Sequence, residues 1–270
     1  MTPPPPVRLA YDVHGQGEPP FVFVHGWCCD RTFFAPQVEH FARSHRVVTP
    51  DLRGCGVSPA PADGYDIATL AADVAAVCDE LDVRGAVVAG HSLGGMIAIE
   101  LAATRPDLVA AAVAVDPGPI DPTQEIRDRF AALAEALHGA EGEAARRGHV
   151  ETQLFDATDD AALRGRITEL MCASPLGPAA AVIASLGSWD GVAAISAVRT
   201  PLLLLLARAG GVNDPDRVLV HNQVAEFGIS VGTGHFNQLF APEQVTSMID
   251  RFLELRVRPN LSVVASDPPE

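Results

Sequence analysis

The chain has 270 residues, long for one domain but within the range of single α/β domains, and enough to bury about three quarters of its unfolded surface. Its 19 basic residues are all arginine and face 34 acidic ones, a net charge of −15, so no lysine amine exists for a Schiff base or for a G-x-x-x-x-G-K-[ST] phosphate loop. That acidity repels phosphate backbones and argues against nucleic-acid binding, while 48% hydrophobic and 20% charged residues describe a folded globular chain.

In chain order, Met1-Thr-Pro-Pro-Pro-Pro-Val lacks the charged-then-apolar pattern of a secretion leader. The cysteines Cys28, Cys29, Cys55, Cys78 and Cys172 are odd in number and read as free thiols in a reducing cytosol. The longest apolar stretches, such as Leu108–Val115 and Pro201–Ala207, are too short for a membrane span. A cytoplasmic protein without nucleic-acid or membrane partners is the expectation. No apolar stripe is separable from those expected to pack inward, so no oligomeric interface is assigned.

Phe21–Val24 is the first run read as a strand buried on both faces, and it ends in His25-Gly26-Trp27. Arg46–Thr49 is the next, followed by the Gly-rich turn Asp51–Ser58. Ile67–Leu81 spaces Ile67, Leu70, Val74, Val77, Cys78 and Leu81 three and four apart, the pattern of an amphipathic helix. The strand Ala86–Ala89 runs into Gly90-His91-Ser92-Leu93-Gly94-Gly95, with a helix predicted over Met96–Ala103. The strand Val109–Val115 stops at Asp116.

From Pro117 to about Trp189 no strand pattern occurs. Asp121-Pro122-Thr123-Gln124 reads as a capping box opening a helix with Ile126, Phe130, Leu133 and Leu137 inward and Gly139 closing it. Glu141–Val150 is charged, and helical patterns recur over Ala161–Met171 and Pro178–Leu186. Residues 117–189 are therefore expected to form a helical cap over a core of 1–116 and 190–258. Pro201–Leu206 and the apolar run Gly228–Val231 complete the strands. Pro242–Leu255 starts with proline at a first helical position and turns Val245, Met248, Ile249 and Phe252 to one face. Residues 259–270 read as a frayed tail. Strands alternating with helices predict an α/β domain with a mostly parallel central sheet flanked by helices.

The motif with the clearest chemistry is Gly90-His91-Ser92-Leu93-Gly94, a G-x-S-x-G between strand and helix that lifts the Ser92 hydroxyl from the sheet edge over a helix N-terminus. A serine at its free pKa is a poor nucleophile and needs a base. His235, in Gly232-Thr233-Gly234-His235-Phe236 after the last strand, lies on the same sheet edge as Ser92. His91 reads as support. His14, His40, His45, His138, His149 and His221 lie in polar or helical contexts and are expected at the surface. The backbone N–H groups of Trp27 and Leu93 are the expected oxyanion donors, each typically worth about 2.7–4 kcal/mol in a transition state. His25-Gly26-Trp27-Cys28-Cys29 lacks a second ligand cluster, no cysteines have zinc spacing, and Gly54-Cys55-Gly56 lacks the third glycine of a dinucleotide fingerprint. No cofactor and no metal are implied.

Together, Val24-His25-Gly26-Trp27, Asp51–Ser58, Gly90–Gly95 and Gly234-His235 stand in the order of the α/β-hydrolase family, and the chain resembles it from about residue 10 to 255. Cys55 stands where the family's turn has histidine. The resemblance implies an α/β-hydrolase fold with its helical cap inserted after the sixth strand. It implies a Ser–His–acid hydrolase of small carboxylic esters, thioesters or lactones. The family's acid usually follows the penultimate strand in a Gly-x-x-Asp turn, but here Ala207–Asn213 intervenes and Asp214 comes late, where Asp214-Pro215 also reads as a helix cap. Some relatives carry the acid one strand after the nucleophile, where Asp116 stands, and Asp116 is preferred over Asp214. With Phe130, Leu133, Leu137, Met171 and Trp189 in the cap, a largely apolar pocket is expected. The chain is also similar to cofactor-independent ring-cleaving dioxygenases of this fold in its Gly-Trp-Cys stretch, its His235-Phe236 pair and the place of Asp116. Perhydrolysis of the haloperoxidase type needs the same triad, and a ligand-binding receptor is a third alternative.

Overall fold

Residues 5–207 and 212–257 are described by the structure, a computed structural model. The expected tail 259–270 and residues 208–211 of the loop after the penultimate strand lie outside the described residues.

Each β-type apolar run becomes a strand of one seven-stranded sheet. These are β1 (Tyr11–His14), β2 (Phe21–Val24), β3 (Val47–Pro50), β4 (Ala86–His91), β5 (Val109–Val115), β6 (Leu202–Leu206) and β7 (Glu226–Ile229). The order is β1-β3-β2-β4-β5-β6-β7, parallel throughout except for β1, which pairs antiparallel with β3. Strand β1 has no sequence signature because it is a largely exposed edge, with no face to bury and hence no apolar alternation.

The interior strands are apolar on both faces because both are covered. Phe21 and Phe23 pack with Phe34, Phe41, Ile249 and Phe252, against α1 (Ala35–Phe41) and the last helix. Val22 and Val24 join the opposite layer, with Leu70 and Val74 of α2 (Ile67–Glu80) and Ile97 of α3 (Leu93–Thr104). Asp66 caps α2 by accepting from Thr69 N at 3.0 Å. Helix α3 starts three residues earlier than its apolar pattern suggests, because the chain turns off β4 at Ser92 without a loop.

Between β5 and β6 lie α4 (Gln124–His138), α5 (Gly142–Gln153), α6 (Ala161–Ala173), α7 (Leu176–Ser185) and α8 (Gly191–Ala197), and no strand. Counted from β1, this insertion follows the fifth strand and not the sixth. Helix α4 packs on α5 and α7, while α8 lies against α3 in the core layer. The cap residue of α4 is Thr123, whose hydroxyl accepts from Ile126 N. Asp121, two residues before it, instead accepts from Arg217 at 2.8 Å, so the capping box expected at Asp121–Gln124 does not form. After β6 come α9 (Pro215–Leu219), α10 (Asn237–Phe240) and α11 (Pro242–Phe252). Among the described residues no single helix is long and apolar enough to cross a membrane.

Candidate active site

At the end of β4 the chain reverses so tightly that Ser92 takes φ +54°, ψ −115°, a region disfavoured for any residue with a Cβ. Two glycines make this turn possible. A Cβ on Gly90 would collide with the Gly94 carbonyl, and one on Gly94 would collide with the Val24 carbonyl at the end of β2. The turn is then pinned: Ser92 N–H donates to Val115 O at 3.0 Å, and the Ser92 carbonyl accepts from Gly95, Met96 and Gly118.

Asp116 sits where β5 ends, also at a positive φ (+39°), with its N–H bonded to Leu205 O at 2.6 Å. Its Oδ1 accepts from the Ala207 amide at 2.9 Å, and its Oδ2 accepts from His235 Nδ1 at 2.6 Å. With Nδ1 donating, the lone pair of a neutral His235 is on Nε2. Asp214 does not join this group. It is the cap of α9, its side chain accepting from Asp216 N at 2.9 Å. His91 lies beneath His235, the two rings 4.6 Å apart, and its Nε2–H donates to the His235 carbonyl at 2.9 Å. Burial, and then the neighbouring His235, hold the His91 pKa well below the usual histidine value, so His91 stays neutral.

The turn carrying Trp27 passes directly over Ser92: a Cβ on Gly26 would stand 3.2 Å from the Ser92 Cβ. His25 locks that turn from behind. Its Nδ1–H donates to Gly26 O at 2.8 Å and its Nε2 accepts from Leu52 N at 2.9 Å. Asp51, buried, organises the neighbouring Asp51–Ser58 turn by accepting from the Arg31 amide, the Arg31 guanidinium and Val57 N. Leu93 opens α3, so its N–H belongs to the first helical turn and has no intrahelical acceptor. Among the described residues no backbone carbonyl pairs with the Trp27 N–H. The Trp27 indole donates to Ala179 O on α7 at 2.9 Å, tying this turn to the insertion.

Ser92, Asp116 and His235 line one cavity of about 360 Å³, roofed by α4 to α7. Phe130 and Met171 line it as expected, with Val182 and Ile183. Leu133, Leu137 and Trp189 do not: Leu137 is buried in the core, and the Trp189 indole donates to Glu100 at 2.8 Å. The wall is more polar than expected, because Arg129, His149 and Gln153 also face the cavity. Two histidines expected at the surface are not there. His45 is buried, donating from Nδ1 to Pro19 O, and His149 is half-buried edge-on to Trp27. Helical periodicity gave α5 no signal of which face would meet a cavity. Cys29 also lines the space, but burial pushes its thiol pKa well up, so it is no thiolate nucleophile. Among the described residues no cluster of three or more His, Cys, Asp or Glu side chains is placed to hold a metal ion.

Burial first, then the proximity of His235 and Arg129, pushes the His149 pKa down to about 4. An unfolded histidine takes up a proton near pH 6.5, the folded one only near 4, so stability is full above 6.5 and falls as pH drops towards 4. The loss attributable to His149 at pH 5 should be about 2 kcal/mol. Denaturant titrations at pH 7.5 and 5.0 should therefore show a smaller acid loss for His149→Phe than for the parent chain; equal losses would contradict this assignment.

A family model described as the alpha/beta hydrolase fold matches residues 19–242. A non-heme chloroperoxidase of Streptomyces lividans is 44% identical over 102 residues, a stretch that spans 37% of this chain and only 37% of that relative. The enol-lactonase of Burkholderia xenovorans LB400 superposes with a TM-score of 0.81 at 22% identity, over 91% of this chain and 96% of that one. A thermophilic esterase of Thermogutta terrifontis, malate bound, gives 0.80 at 24%, over 91% and 93%. At these identities the two structures speak for the fold.

Proposed function

The chain belongs to the α/β-hydrolase fold family, and from that premise we propose that it is a serine hydrolase that cleaves a small carboxylic ester, thioester or lactone without a cofactor. The observation that carries this reading is the bond from His235 Nδ1 to Asp116, which leaves Nε2 as the basic nitrogen in the cavity that Ser92 also lines. His235 Nε2 takes the hydroxyl proton as Ser92 Oγ bonds to the acyl carbon. The Trp27 and Leu93 amides hold the oxygen that becomes negative. The imidazolium then gives its proton to the departing alkoxide or thiolate, leaving an acyl-serine. Water, deprotonated by the same nitrogen, attacks the acyl carbon; the proton returns to Ser92 Oγ and the acid leaves. The helical insertion acts as the cap that excludes bulk water and selects the acyl group.

The test is hydrolysis of a short-chain aryl ester by the parent chain beside Ser92→Ala, without added metal or cofactor. Turnover in the variant should fall by about 10³-fold or more. Equal rates in both would remove the acyl-enzyme reading. The similarity to a chloroperoxidase favours one second reading, in which hydrogen peroxide replaces water and a peracid leaves. Peracid formation exceeding hydrolysis at equal nucleophile activity would establish it. Oxygen uptake with a hydroxylated aromatic, retained in Ser92→Ala, would instead assign the His235–Asp116 pair to ring cleavage.

A further inference from the structure

The segment joining α5 to α6 is bonded to the loop that carries His235. His235 N–H donates to Leu154 O at 3.0 Å, and the single Thr158 hydroxyl proton is shared between Asp156 Oδ1 at 2.8 Å and Gly232 O at 3.2 Å. Between them lies Asp159, 6% exposed and in no ion pair among the described residues. Burying a carboxylate is costly unless its lone pairs are filled. Here backbone amides fill them: Asp156 N at 2.7 Å, and Gly234 N at 3.1 Å to one oxygen and 3.3 Å to the other. The fit is close, since a Cβ on Gly234 would come within 2.7 Å of Asp159 Oδ2 and 2.9 Å of the Phe155 carbonyl carbon. Phe155 also packs on Phe236, ring centres 5.8 Å apart.

The peptide flanking His235 is thus held by His91 from the core side and by the insertion from the other. We propose that Asp159 is a positioning residue, which accepts the Gly234 amide and thereby aims the His235 ring at Ser92, so that docking of the helical insertion sets the alignment of the base. This rests on the reading of His235 as the base. The carboxylate acts through the backbone and touches no reacting atom. Its loss should therefore lower kcat, because misplacing a reacting group by about 1 Å costs about 10²-fold, and leave KM nearly as it was.

The experiment compares Asp159→Ala and Asp159→Asn with the parent chain on the aryl ester, with amide hydrogen exchange measured over residues 232–236. Asp159→Ala should lose about tenfold or more in kcat with KM within about twofold, and exchange in 232–236 should quicken. Asp159→Asn keeps an oxygen for one of the two amides but turns its NH₂ to the other, so its kcat should fall between those of the parent chain and Asp159→Ala. A folded Asp159→Ala with parental kcat, or with exchange in 232–236 unchanged, overturns the proposal. If Asp159→Ala does not fold, the parent chain decides: Gly234 and His235 amides exchanging as freely as an unbonded loop overturn it. Exchange reads the clamp whether or not the ester is cleaved, so failure of the hydrolase reading and failure of this one are distinguishable.

Discussion

Asp116→Asn should lower kcat on the aryl ester by about 10⁴-fold, although the substitution changes only one atom. The backbone should tolerate it, since asparagine is among the residues most at ease at the positive φ that Asp116 adopts. Its amide, however, has a forced orientation. The Ala207 N–H, which donates to Oδ1 at 2.9 Å, requires an oxygen there, so the NH₂ must face His235. His235 Nδ1 would then have to accept, which moves its proton to Nε2, the nitrogen needed as base. A histidine in that tautomer cannot take a proton from Ser92. Asp214→Asn should leave turnover within about twofold, since that residue caps α9 and asparagine caps as well as aspartate. The two kcat values measured side by side decide the matter: a near-normal Asp116→Asn would remove Asp116 as the orienting acid.

The largest expected loss of stability lies behind the site, at Arg53 and Asp73. Arg53 lies within the Asp51–Ser58 turn and Asp73 on α2, and both side chains are essentially inaccessible to solvent, at 1% and 0% exposure. The pair is bidentate, at 2.6 and 2.7 Å, and each partner has a further bond: Asp73 accepts from Val7 N and Arg53 donates to Asp63 O. Removing one partner strands the other charge in a medium that solvates it poorly. Asp73→Asn should cost about 3–5 kcal/mol of unfolding free energy, read from a urea titration. Arg53→Met combined with Asp73→Leu should regain much of it, because an apolar pair leaves no orphaned charge. A single variant within about 1 kcal/mol of the parent chain would show that water reaches the pair.

Local pattern in the chain foretells much of this molecule. A run such as Phe21–Val24, apolar at every position, has to be covered on both sides, and only a parallel sheet between helical layers does that. Gly90 precedes Ser92 for a reason readable at short range, since a Cβ there would strike the Gly94 carbonyl of the same reversal, whereas Gly94 is required by the close passage of β2 at Val24. His235 is placed by chain order alone, after the last strand and before the Pro242 helix, on the edge where Ser92 emerges.

Other features have no such local cause. Strand β1 has β3 as its one partner in the sheet, and its exposed residues carry no periodic signal. Whether Asp116 or Asp214 meets His235 depends on where β5 and the loop after β6 end in space, not on either residue's neighbours. Leu133, Leu137 and Trp189 are apolar like Phe130 and Met171, yet they turn to the core or to Glu100 while His149 takes a place in the cavity. Asp159 reads in sequence as one more acidic residue in a polar stretch, and only the return of the chain 75 residues later brings the Gly234 amide to it. By itself, then, the sequence determined the elements, their layering and the strained turn at Ser92, because each follows from residues within a few positions of one another. The tertiary structure decided the acid that meets His235, the lining of the cavity and the clamp on its loop, because those contacts join segments that no local periodicity relates.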